Sequence, residues 1–266
     1  MSKVSVSSPD SGNLLSALVP PLALDRMGMN SPVLRMKPVN MHVETPAWLQ
    51  HIPFAWWIVS QVRPRLLVEL GTHAGNSYFA FCLAMRQIGL NGQAFAVDTW
   101  RGDEHAGAYN DEVFEKVDAI NKQQFSSFSS LLRMTFDDAL PRFKDGSIDL
   151  LHIDGLHTYE AVRHDFETWR PKMAADGVVL FHDTAEYGRD FGVHRLFAEL
   201  ARDYPHFEFK HSHGLGVLSM SPRPRGDLGL MLRPAGWRES PLGFFRLRRE
   251  RSIRRHFRDM GASLRA

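Results

Sequence analysis

Two carboxylates with histidines beside them are the side chains of this sequence best suited to chemistry. In "LLHIDGLHTYEAVRHDF", residues 150–166, an apolar run delivers Asp154, and His157 follows three residues later. In "GVVLFHDT", residues 177–184, a second apolar run delivers His182 and Asp183. An unperturbed imidazole titrates near pH ~6.5, which makes His157 the candidate general base. Carboxylates hold divalent cations, so Asp154 and Asp183 are candidate metal ligands, with His182 beside them. A plainer reading has Asp154 capping a helix that starts near His157. That accounts for one acid and leaves the second unexplained.

The segments around these residues alternate between strand and helix patterns. "RLLVELG", "QAFAVDTW", "LRMTFDD", "SIDLLHIDG", "GVVLFHDT", "FEFKHS" and "GLGVLSMS" read as seven strands. "NSYFAFCLAMRQIGL", "DEVFEKVDAINKQQFSSFSSLL", "TYEAVRHDFETWR" and "GVHRLFAELARDY" read as helices between them. Strand–helix alternation requires crossover connections, hence a mainly parallel, doubly wound α/β sheet covered on both faces. The link between the last two strands, around His213-Gly214, is too short for a crossover, so these two should be antiparallel. Ligands of such sheets sit at the carboxyl ends of the strands, where both Asp154 and Asp183 fall. "PAWLQHIPFAWWIVSQV", residues 46–62, reads as a buried helix or helical pair with Pro53 near a break or a first turn, and His51 is there to pack or to line a pocket.

"VELGTHAGNSYFA" has the order strand, glycine turn, helix, with Glu69, Gly71 and Gly75 in the pattern E-x-G-x-x-x-G. Glycines allow a tight turn and close approach of a ligand to the backbone. Glu69 at the strand end disfavours a pyrophosphate and favours a cationic ligand. Asp98 ends the next strand, 27 residues after Gly71, where an acid accepts hydrogen bonds from ribose hydroxyls.

These stretches, with "HIPFA", "AVDTW", "MTFDDAL" and "DFGVHRLFAEL", resemble the class I S-adenosylmethionine (SAM) dependent methyltransferases. The resemblance runs from about residue 48 to 219. It is closest to the small bacterial O-methyltransferases found among glycan and glycosyltransferase genes. It implies a Rossmann-like seven-stranded sheet whose last strand is antiparallel. It implies that Glu69 approaches the methionine amino group, that Gly71, Thr72, His73, Gly75, Asn76 and Ser77 wrap the methionine part, and that Asp98 with Thr99 binds the ribose. Trp100 and Phe136 become candidates to flank the adenine, with Asp137 or Asp138 near its amino group and Asp154 at the cofactor's edge. Phe136 as core and Asp138 as a cap are the plainer alternatives. Related metal-dependent sugar O-methyltransferases carry an acidic pair where this chain has His182-Asp183. That departure suits Mn²⁺ or a softer ion better than Mg²⁺.

The function expected is therefore transfer of a methyl group from SAM to a hydroxyl, of a sugar in a glycan or glycosylated metabolite. A small phenolic acceptor and a non-catalytic SAM-binding protein are the alternatives. No G-x-S-x-G elbow, P-loop or Cys–His pair is present. The 266 residues carry one cysteine, Cys82, on an apolar helix face, which excludes an internal disulfide and favours a reducing, cytoplasmic setting. Neither a signal peptide nor a spanning helix is legible.

Charge divides the chain. From Pro222 onward there are 12 arginines, no lysine and four acids, a net +8, against −6 for the remainder. The expected organisation is a lead-in over 1–45, partly disordered, a methyltransferase domain over 46–221 and an arginine-rich extension over 222–266. "GFFRLRRERSIRRHFRDMGASLRA" contains Phe244, Phe245, Leu247, Ile253 and Phe257. It reads as an amphipathic helix for an anionic membrane surface or an acidic partner, ahead of nucleic acid, or as a helix packed on its own domain. Asp103 and His105 read as part of a loop over the acceptor. Acceptor identity, oligomeric state and the ion are not encoded in any readable motif.

Overall fold

The structure, a computed structural model, describes residues 24, 27–29, 46–104, 107–108, 110–236 and 243–265. Most of the expected lead-in, and His105, lie outside the described residues, as do the side chains of Asp103, Phe244 and Phe245. Seven strands form one sheet: β1 (Leu66–Leu70), β2 (Gln93–Asp98), β3 (Ser129–Arg133), β4 (Ile148–Ile153), β5 (Met173–His182), β6 (His206–Phe209) and β7 (Leu215–Ser219). Their order is β3-β2-β1-β4-β5-β7-β6. β7 is antiparallel to both its neighbours and every other pair is parallel, as expected. Residues 102–103 and 107–108 form a separate small ribbon.

The helices are α1 (Ile52–Val62), α2 (Asn76–Ile88), α3 (Asp111–Gln124), α4 (Phe136–Ala139), α5 (Tyr159–Trp169), α6 (Val193–Leu200), α7 (Gly226–Met231) and α8 (Gly243–Ala262). Strand side chains alternate between two cores. Leu67, Leu150, Val178, Leu180 and Val217 face one side, with α1, α2, α3 and α8. Val68, Leu151, Val179, Phe181 and Leu218 face the other, with α5 and α6. Period-2 alternation of apolar residues on both faces is what a doubly covered sheet requires. Cys82 is buried in the first core.

One local expectation changes. The long helix expected through residue 132 stops at Gln124, where Phe125 closes it by donating to the Asn121 carbonyl. β3 therefore begins at Ser129, earlier than the sequence pattern suggests. The reason is a buried polar knot: the Ser129 hydroxyl meets Asn121 Oδ1 at 2.5 Å and the Tyr78 hydroxyl at 2.6 Å, which turns the chain back under α2. The basic segment takes one of the readings left open for it. α8 buries Ile253, Phe257 and Met260 against the first core. Phe257 meets Phe54 edge-on at 5.5 Å and Phe209 at 5.7 Å. Glu250, buried, is an ion-pair partner of Arg233 and Arg254. Ile253, Phe257 and Met260 thus pack on the chain's own fold, one of the readings the sequence leaves open. Among the described residues no helix is long and apolar enough to cross a membrane.

Candidate active site

The strand order reverses between β1 and β4, and the crevice opens there at the carboxyl ends of the strands. A cleft of about 500 Å³ occupies that position. The turns after β1, β2, β4 and β5 line it. One of its walls is the glycine turn. Gly71 has φ +83°, and a Cβ there would lie 2.1 Å from the Asp154 carbonyl oxygen, so only glycine lets the β1 and β4 ends meet. Gly75, at φ +81°, opens α2.

Asp98 holds this turn. Its Oδ2 accepts from the backbone N–H of Thr72 at 2.8 Å and of His73 at 2.9 Å, and its Oδ1 from that of Trp100 at 2.7 Å. It remains half-exposed on the cleft wall, so ligand hydroxyls can still reach it. Trp100, only 1% exposed, packs on Phe114 and donates its Nε1–H to the His73 carbonyl at 2.9 Å. It does not line this cleft and borders the adjoining pocket, with Thr99, Thr135 and Asp138.

Glu69 lies near the end of β1, before this turn. It is fully buried beneath the cleft, facing His152 across the β1–β4 register, with Oε2 2.8 Å from His152 Nδ1. Burial raises its pKa, against the hydrogen bond from His152. Its Oε1 has no hydrogen-bond partner among the described residues. His152 carries no motif of its own in the sequence. Its signal was its place on β4, two residues before Asp154 and so on the opposite face of the strand from Ile153. Gly71, Thr72, His73, Asn76, Ser77, Thr99 and Phe136 line the cleft as expected. Asp137 and Asp138 do not line it: Asp137 pairs with His164 at 2.9 Å, and Asp138 closes a cap with Thr135.

The opposite wall joins β4 and β5, which are parallel neighbours. Asp154 is not the cap of α5; Thr158 is, accepting from the Ala161 N–H at 3.3 Å. Asp154 is free to turn inward. Its Oδ1 lies 3.1 Å from His182 Nδ1 and 3.6 Å from His157 Nε2. His157 Nε2 is 2.8 Å from Asp183 Oδ2, and His182 Nδ1 is 3.4 Å from Asp183 Oδ1. Asp183 has φ +61°, which a non-glycine residue adopts only where the fold imposes it. The anchor is its N–H, bonded to the Gly214 carbonyl at 3.1 Å.

Two carboxylates and two imidazoles in one buried cluster shape each other's protons. Burial opposes charge on each, and the pairing overrides it. His182 and His157 hold Asp154 well below the usual carboxylate range, and Asp183 is lowered likewise. The carboxylates raise His182 well above 6.5 and push His157 up to about 9. His157 is further held by Phe191, whose ring stacks on it at 4.7 Å and 8°. Phe191 escaped the sequence reading, because nothing in "RDFGVH" distinguishes it from a core phenylalanine. As a donor set, Asp154, His182 and Asp183 supply oxygen, nitrogen and oxygen within 4.8 Å of one another. That spacing and chemistry fit one divalent cation.

Residues 68–184 match the family model described as a methyltransferase domain. An uncharacterized protein of Sinorhizobium fredii, y4gI, is 53% identical over 172 residues, which is 65% of this chain and 19% of that protein. The chain thus spans about a fifth of the length of that curated relative. Among solved structures, a Staphylococcus aureus protein assigned provisionally as a caffeoyl-CoA O-methyltransferase aligns with TM-score 0.50 at 12% identity, covering 68% of this chain and 85% of its own. The O-methyltransferase TomG of Streptomyces achromogenes, in complex with SAM, aligns with TM-score 0.48 at 12% identity, covering 78% and 94%. At such identities the likeness is one of fold. The sheet has the Rossmann-like order, and residues 68–184 within it match a methyltransferase domain.

Proposed function

We propose that this chain is an O-methyltransferase that moves the methyl group of SAM to a sugar hydroxyl, in a glycan or glycosylated metabolite. The observation that carries the reading is one cleft with a glycine turn on one wall and the Asp154–His157–His182–Asp183 cluster on the other. Bound SAM supplies a methyl group already activated on a sulfonium. The chain's part is to align the acceptor oxygen and to take its proton.

The backbone from Gly71 to Ser77 follows the methionine portion, Asp98 with Thr99 binds the ribose, and Phe136 borders the adenine. Buried Glu69 lies one layer below the turn, and its negative charge favours the positively charged donor through the turn. A sugar hydroxyl is a weak nucleophile because it keeps its proton, and His157 Nε2 is the acceptor placed for it. In the bare cluster His157, at about 9, keeps its own proton at neutral pH. It becomes a base only when the charge of Asp154 and Asp183 is engaged elsewhere. A divalent cation on Asp154, His182 and Asp183 fits that need, and such an ion would also polarise a bound hydroxyl. Nitrogen from His182 favours Mn²⁺ over Mg²⁺.

The test is transfer of tritiated methyl from SAM into separated glycan, lipid and phenolic fractions. Label in carbohydrate-bearing material is the expected result. Label confined to phenolics would move the acceptor to the other class. SAM binding without label in any fraction would leave a binding protein.

A further inference from the structure

Arg189 is the one lysine or arginine among the described residues that lines the cleft. It is exposed and belongs to none of the ion pairs among the described residues, although Asp183, Glu186 and Asp190 are close in sequence. Its backbone is unusual. The Phe191 N–H bonds the Gly188 carbonyl at 3.0 Å, and the two residues between, Arg189 and Asp190, have φ +49° and +60°. This is a turn with both central residues left-handed, a conformation that favours asparagine and glycine. An arginine in that place is held by its surroundings, and such strain collects at ligand clamps.

The surroundings lead to the candidate base. Phe191 bridges Thr158, the Gly192 N–H bonds the His157 carbonyl at 2.8 Å, and a Cβ on Gly192 would lie 2.3 Å from the Tyr159 nitrogen. The Arg189 guanidinium carbon lies 5.4 Å from the centre of the Phe191 ring, which itself stacks on His157. A cation is therefore fixed at the cleft mouth in register with the group that faces the acceptor hydroxyl.

We propose that Arg189 binds an anionic substituent of the acceptor, a carboxylate or a phosphate, so that the substrate is an acidic saccharide. This rests on the reading of the cleft as a sugar O-methyltransferase site. A guanidinium offers paired N–H donors that match either anion. An anion on Arg189 fixes one end of the sugar and leaves a ring hydroxyl to face His157. The donor also carries a carboxylate, but the glycine turn expected to follow the methionine portion belongs to the other wall.

The experiment is ligand-observed NMR titration of the full chain, loaded with S-adenosylhomocysteine, by glucuronate, glucose 6-phosphate and glucose. At least one anion should bind about tenfold more tightly than glucose, and Arg189→Gln should erase that preference, with Arg189→Lys retaining part of it. Which anion wins names the carboxylate or the phosphate as the source. Equal affinity for the three sugars, no binding by either anion, or a preference that survives Arg189→Gln overturns the proposal. A loss of S-adenosylhomocysteine affinity in Arg189→Gln, with the anion preference intact, reassigns Arg189 to the cofactor and also overturns it. Absence of methyl transfer alongside the expected binding would count against the enzymatic reading and leave the anion site standing.

Discussion

Asp98→Ala tests the donor wall most directly, because one carboxylate holds three backbone N–H groups there. Hydrogen bonds to a charged acceptor contribute ~1.5–3 kcal/mol each. Asp98 is half-buried and water reaches part of the turn, so the low end applies. Three such bonds, to Thr72, His73 and Trp100, amount to about 4.5 kcal/mol. A chain of 266 residues unfolds with an entropy of roughly 0.56 kcal/mol per degree, which makes the expected drop in Tm about 8 °C. The same substitution removes the proposed ribose acceptor, so SAM affinity should fall by ~1.5–3 kcal/mol, or roughly 10–150-fold. Scanning calorimetry measures the first and isothermal titration the second. A Tm within a degree of wild type would refute Asp98 as the anchor of the turn. A lowered Tm with unchanged SAM affinity would refute it as the ribose acceptor.

His157→Ala should leave fold and SAM affinity intact and lower turnover by roughly 10²–10⁴, the usual contribution of a general base, while EDTA should inhibit the wild type and Mn²⁺ restore it. Full turnover in the variant removes the base, and full turnover in EDTA removes the metal. Asp165 on α5 is buried, and burial pushes its carboxyl up to about 7. The folded chain then holds a proton that the unfolded chain releases near pH ~4. Stability must fall as pH rises from about 4 to about 7, by on the order of 3–4 kcal/mol. Asp165→Asn should raise Tm at pH 8 and not at pH 4, and a gain equal at both would contradict the assignment. Phe257→Ala should destabilise by about 3–5 kcal/mol in urea melts. Truncation after Ser221 should unfold the domain, and a truncated protein with native circular dichroism and SAM binding would show that α8 is dispensable.

The sequence by itself determined the seven strands of the sheet, the antiparallel last strand and the address of the site. Apolar periodicity is local, and so is the meaning of a glycine turn or an acid at a strand end. Asp154, Asp183, Gly71 and Asp98 were legible for that reason. What each side chain touches is not local. β4 and β5 are separated by a helix, and only their pairing brings His157 within 2.8 Å of Asp183. The β1–β4 register, set by the same crossover order, put Glu69 on His152 and took it off the cleft wall. That the Trp100 indole would be tied to the His73 carbonyl, 27 residues away in the chain, was likewise not local. The basic helix gave the same pattern whether its apolar stripe met lipid, a partner or its own domain. Amphipathicity states that a face must be buried, and only the open flank beside α1 and β6 decided against what.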